Sequence, residues 1–177
     1  MNKIIALATL LIILGLVNVS IYHKERHLAQ GAVVYLPLAP VDPRSLMQGD
    51  YMALAFEMER DIYAALPKDE TSHRWRRDVI AEDGLAVVTL DERRVGSFAT
   101  IYAQQPLSPQ QILMRYRIRN GTVKFATNAF FFQEGTADTY ARARFGEFRV
   151  DTDGELLLTA LFNGELEKLQ PDSSEQP

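Results

Sequence analysis

From Ile4 to Tyr22 the chain reads IIALATLLIILGLVNVSIY, nineteen residues without a charge, and no other stretch constrains the fold as much. A helix of that length, rising ~1.5 Å per residue, reaches roughly 28 Å, close to the ~30 Å hydrocarbon thickness of a bilayer. Apolarity on every side, at a chain terminus, argues against a helix buried in a soluble fold. Met1-Asn2-Lys3 precedes the run, and a charged collar of His23, Lys24, Glu25, Arg26 and His27 follows it. A cleaved signal peptide would have a shorter apolar core and small residues just before a nearby cut. Asn18, Ser20, Ile21 and Tyr22 offer no such site, and Ala29-Gln30-Gly31 begins seven residues past Tyr22. The sequence therefore predicts an uncleaved anchor over residues 1–30, with membrane lipid as its first partner. Lys3 and the terminal amine balance Lys24 and Arg26, so loop charge alone does not orient it. A three-residue head is easily retained while the rest crosses, which places the remainder outside the cytoplasm.

The body spans residues 31–169, followed by a polar tail, QPDSSEQP, over residues 170–177 that is expected to be disordered. About 140 residues suffice for one domain with its own core. Only Lys3 precedes the apolar run, so the rest carries 18 basic and 23 acidic residues, a net −5. That balance argues against a general binder of nucleic acid or of anionic lipid, which would normally be basic. There are no cysteines, which excludes disulfides, thiolate metal sites and a cysteine nucleophile.

The body reads mostly as strands. Ala32 to Ala39 is an apolar run ended by the Pro40-Val41-Asp42-Pro43 loop, and Tyr51 to Phe56 resumes as a strand. Met58, Ile62 and Leu66 recur every four residues, predicting a helix over Glu57 to Leu66 that Pro67 stops. Leu85 to Leu90 and Val95 to Tyr102 form a hairpin around residues 91–94. Ile112 to Arg119 and Thr122 to Phe132 form another around Asn120-Gly121, where both turn positions need positive φ. Thr136 is placed to cap a short helix through Arg144. Phe145 to Val150 and Glu155 to Phe162 flank the Asp153-Gly154 turn. The expected class is α+β, mostly β: a transmembrane helix, then a small antiparallel sheet or barrel-like domain with two short helices. Within it, period two puts Arg115, Arg117 and Arg119 on one strand face and Met114, Tyr116 and Ile118 on the other. Phe130-Phe131-Phe132 puts apolar surface on both strand faces: burial of both within the domain is expected, with core on one side and a partner on the other as the alternative.

No cofactor or metal site stands out. His23 and His27 share a helix face but have no third ligand nearby, and Asp151-Thr152-Asp153-Gly154 lacks the remaining ligands of a calcium loop. The densest feature is Leu38 to Phe56, LAPVDPRSLMQGDYMALAF: strand, rigid turn, tight turn, strand. Gly49 permits a left-handed turn, and the Asp50 carboxylate can accept turn amides.

This stretch resembles the family named for the motif GDYXXLXY, short membrane-anchored bacterial proteins. Gly49, Asp50, Tyr51 and Leu54 match the motif, and Phe56 stands where the name has Tyr. The lead-in over residues 39–44, with Asp42 and Pro43, also looks like the family's, as do Phe131-Phe132 with Glu134-Gly135 and the segment from Phe148 to Gly154. The resemblance implies a single-pass protein of the bacterial inner membrane with its C-terminal domain in the periplasm. It also implies an accessory role beside an integral, multi-pass membrane protein, with Asp42, Pro43, Gly49, Asp50, Tyr51, Leu54 and Phe56 as the candidate docking turn. A partial echo of signal-peptidase-like serine hydrolases supplies the alternative: Ser45 shortly before Gly49-Asp50, with Lys124 as base. That chemistry needs a buried, deprotonated lysine, and Lys124 alternates with apolar neighbours on a predicted strand that turns it to water.

Overall fold

The computed structural model describes residues 2–39, 51–66, 82–119, 122–127 and 129–171. Helix α1 (Asn2–Gln30) carries the apolar run and the collar in one uninterrupted rod. Its apolar side chains, Ile4, Leu11, Ile12 and Leu16 among them, are exposed, and the helix is long and apolar enough to cross a membrane.

A mostly β body follows with a single residue, Gly31, between. Its described elements are β1 (Ala32–Pro37), β2 (Tyr51–Ala53), α2 (Met58–Ala65), β3 (Glu82–Leu90), β4 (Gly96–Ile101), β5 (Gln111–Arg119), β6 (Thr122–Lys124), β7 (Ala129–Phe131), α3 (Ala137–Tyr140), β8 (Phe145–Val150) and β9 (Leu156–Phe162). They form three antiparallel sheets, ordered β1-β8-β9, β2-β7 and β4-β3-β5-β6. Backbone bonds stitch the two larger sheets together. Tyr35 of β1 donates its N–H to the Arg94 carbonyl at 3.0 Å, and Arg115 of β5 donates to the Gly154 carbonyl at 2.8 Å. The result is a half-barrel, the small antiparallel, barrel-like body that the alternation of apolar residues predicts.

Three turns share one device. Asp91 Oδ1 accepts the amides of Arg93 and Val95, Asp151 Oδ1 those of Asp153 and Glu155, and Asn163 Oδ1 those of Glu165 and Glu167. In each, the residue before the last of these amides is left-handed: Arg94 at φ 64°, Gly154 at 79° and Leu166 at 61°. This is a type I turn closed by a left-handed residue, with the Asx side chain replacing a strand amide's partner.

Two expected elements differ. Thr122 to Phe132 is not one strand but β6 and β7, in different sheets. Phe125 turns into the core, and Thr127 exchanges hydrogen bonds with Ala129, its hydroxyl donating at 3.0 Å and accepting at 3.1 Å, so the ladder ends there. The helix expected from Thr136 to Arg144 is only α3. Thr136 stands at the N-cap but makes no side-chain cap bond, its hydroxyl instead donating to the Gln133 carbonyl at 2.7 Å, and the Arg144 N–H already donates to the Phe162 carbonyl at 2.8 Å as the chain enters the β8–β9 sheet. Asn120-Gly121, the polar stretch over residues 68–78 and residues 172–177 lie outside the described residues.

The core sits inside the half-barrel. Val34 and Leu36, Ala86 and Val88, and Met114, Tyr116 and Ile118 line its strands, and Met58 and Ile62 of α2 close one side. On β5 the predicted alternation is seen: Met114, Tyr116 and Ile118 are buried, while Arg117 and Arg119 face water. Phe56 lies at the centre, edge-on to Phe125 and to Phe148 with ring centroids 5.5 Å away in both cases. Edge-to-face pairs of this kind add ~0.5–1.5 kcal/mol each beyond burial.

Candidate functional site: the motif ribbon and the helix junction

Strands β2 and β7 form a two-stranded ribbon, with Tyr51 opposite Phe131, Met52 opposite Phe130 and Ala53 opposite Ala129. Such a ribbon is marginal alone. Here it is tied down where β1 ends: Leu38 bridges Phe56, and Ala39 donates its N–H to the Ala55 carbonyl at 2.8 Å. The next helix starts from the same place, where Glu59 reaches back to accept the Phe56 N–H at 3.1 Å, half of a capping box.

Period two divides the motif. Met52, Leu54 and Phe56 point into the core, whereas Tyr51 and Ala53 point out. Tyr51 is 39% exposed and Phe131 is 74% exposed, with ring centroids 5.8 Å apart. Behind them Phe130 and Phe132 pack on Tyr140 at 5.0 and 5.2 Å, and burial pushes the Tyr140 hydroxyl pKa above its ordinary value. The expected two-sided burial of the phenylalanine run is thus corrected: the core takes two rings and leaves the middle one in solvent. Asp42, Pro43, Gly49 and Asp50 lie outside the described residues, as does Ser45. Lys124 is exposed on β6 directly opposite Arg117, so it lacks the burial that the hydrolase alternative needs.

At the other candidate site α1 meets the body. His27 is the one collar side chain that is buried among the described residues. Its Nε2 donates to the Arg149 carbonyl of β8 at 2.9 Å, since a carbonyl can only accept, and its Nδ1 lies 3.6 Å from Asp151 Oδ2. Gly31 donates to the His27 carbonyl at 2.8 Å, and its own carbonyl accepts from Arg149 Nη1 at 3.3 Å. A side chain at Gly31 would collide, since an added Cβ would stand 2.6 Å from the His27 carbonyl oxygen. The collar reading missed His27. The i, i+4 pair with His23 drew attention to metal, whereas the signal for a latch is the Gly31 that lets the helix end lie against β8.

The family model described as GDYXXLXY protein matches residues 13–161. The chain belongs to the GDYXXLXY family. The matched range takes in the second half of the apolar helix together with the ribbon and the half-barrel, so the family's unit includes helix and body. Comparison with curated proteins gives no match, and comparison with solved structures gives none either.

Proposed function

We propose that this GDYXXLXY protein is a single-pass accessory of the bacterial inner membrane. Its half-barrel stands on the periplasmic side and docks onto an integral, multi-pass membrane protein through the Tyr51–Phe131 face. One observation carries this reading: Phe131, and beside it the partly exposed Tyr51, face water on a ribbon whose flanking rings Phe130 and Phe132 pack against the core. Keeping a ring exposed forgoes roughly 1.5–3 kcal/mol of burial, which a partner's surface would recover. The latched helix is in keeping with the same reading, because it fixes the helix end against β8.

The test is co-purification in mild detergent. A tagged chain brings down a polypeptide that itself resists alkaline carbonate extraction. Phe131→Ala with Tyr51→Ala abolishes this while leaving thermal unfolding unchanged. Retention of the partner by the double variant sinks the docking face. Orientation is read separately. The chain has no cysteine, so Arg117→Cys gives a single thiol, expected to react with an impermeant maleimide from the periplasmic side only.

A further inference from the structure

Where α1 meets the body, the helix end and the β8–β9 turn enclose an open cleft of about 650 Å³. One wall is the helix face His23, Arg26, His27 and Gln30, spaced i, i+3, i+4 and i+7. The other wall includes Asp151 and Asp153 of the turn. We propose that this cleft is a phospholipid headgroup site, selective for a lipid that carries both a phosphate and a primary amine. The proposal rests on the membrane-anchoring reading above.

Height supplies the first argument. His23 follows Tyr22, the last residue of the uncharged run. The four residue steps from His23 to His27 rise ~6 Å, about the depth of one headgroup layer when the run fills the hydrocarbon core. Lipids are therefore the molecules most concentrated at the mouth of the cleft.

Charge supplies the second. Arg26 gives its Nε to Gln30 Oε1 at 2.9 Å, and its terminal amines make no bond among the described residues. They are the fork that a phosphate ester takes in bidentate fashion. Asp151 Oδ1 is held by two turn amides and its Oδ2 faces His27, but the Asp153 carboxylate has no partner among the described residues. A headgroup with phosphate alone leaves these two carboxylates facing uncompensated negative charge. A trimethylated amine brings charge but no N–H to donate. An ethanolamine headgroup answers both walls.

The full chain is reconstituted into vesicles of equal phosphatidylethanolamine, phosphatidylcholine and phosphatidylglycerol, washed with alkaline carbonate, extracted in mild detergent and weighed with its bound lipid by native mass spectrometry. The ethanolamine lipid is expected to be retained roughly tenfold over the other two, the discrimination of one charge-assisted hydrogen bond. Asp153→Asn brings it down to the level of the choline lipid, and Arg26→Gln lowers retention of all three. Equal retention of the three lipids, or an ethanolamine preference that survives Asp153→Asn, overturns the site. A chain that leaves the vesicles in the carbonate wash overturns the anchoring reading itself, a result distinct from a chain that stays but shows no preference.

Discussion

The helix junction and the motif ribbon meet solvent in opposite ways. At the junction, a histidine that sequence places in a water-facing collar is drawn in and bonded to β8. On the ribbon, Phe131, which the sequence reading buries, is held out beside Tyr51 of the candidate docking turn. The first region uses polar groups to fix geometry, and the second leaves apolar groups unpaired within the chain. On the docking reading proposed above, the junction's work is internal and the ribbon's is to meet a partner.

The largest effect should separate the two faces of the ribbon. Phe56→Ala removes the ring between Phe125 and Phe148 and is expected to cost ~3–5 kcal/mol. Phe131→Ala should stay within ~0.5 kcal/mol. Chemical unfolding of both variants in detergent checks this, and comparable losses would erase the division between inward and outward motif positions. Next comes the junction. Gly31→Ala forces the helix end off Arg149, and His27→Ala leaves the Arg149 carbonyl without its donor, a loss of ~1–3 kcal/mol for a buried group. A nitroxide on the collar should gain mobility relative to the body in either variant.

Smaller is the left-handed turn position. Gly154→Ala puts a Cβ at positive φ and 3.2 Å from the Leu113 carbonyl oxygen, so it should destabilise. Arg94→Gly relieves the same strain in the equivalent turn and should stabilise by up to ~1 kcal/mol. Smallest is a pH effect. Burial first, then the Glu147 carboxylate that accepts the Tyr35 hydroxyl at 3.3 Å, raises the Tyr35 pKa above 10.0. The fold thus favours the neutral phenol. That contribution is present below the ordinary value and lost as pH rises through the raised one. Tyr35→Phe should flatten the alkaline decline in stability.

Much of this was legible in the sequence, for physical reasons. The apolar run is long enough to cross a bilayer, and the helix it predicts is continuous. Alternating strands around residues 91–94 and around Asp153-Gly154 mark the β3–β4 and β8–β9 hairpins, and the Asp91 and Asp151 side chains close these turns locally. What escaped was non-local. After β6, Phe125 turns into the core and Thr127 bonds Ala129, and nothing in the Thr122 to Phe132 pattern distinguishes that from a continuous strand. His27 becomes a latch only because β8, far along the chain, brings Arg149 and Asp151 to it. Phe131 is exposed while its neighbours Phe130 and Phe132 pack on Tyr140, which comes from α3 further along the chain.

The most direct test is photocrosslinking in native membranes, with p-benzoylphenylalanine in place of Phe131 and, as control, in place of the exposed Lys124. The account predicts an adduct from position 131 to one carbonate-resistant polypeptide and none from position 124. No adduct from position 131, or the same adducts from both, would contradict it.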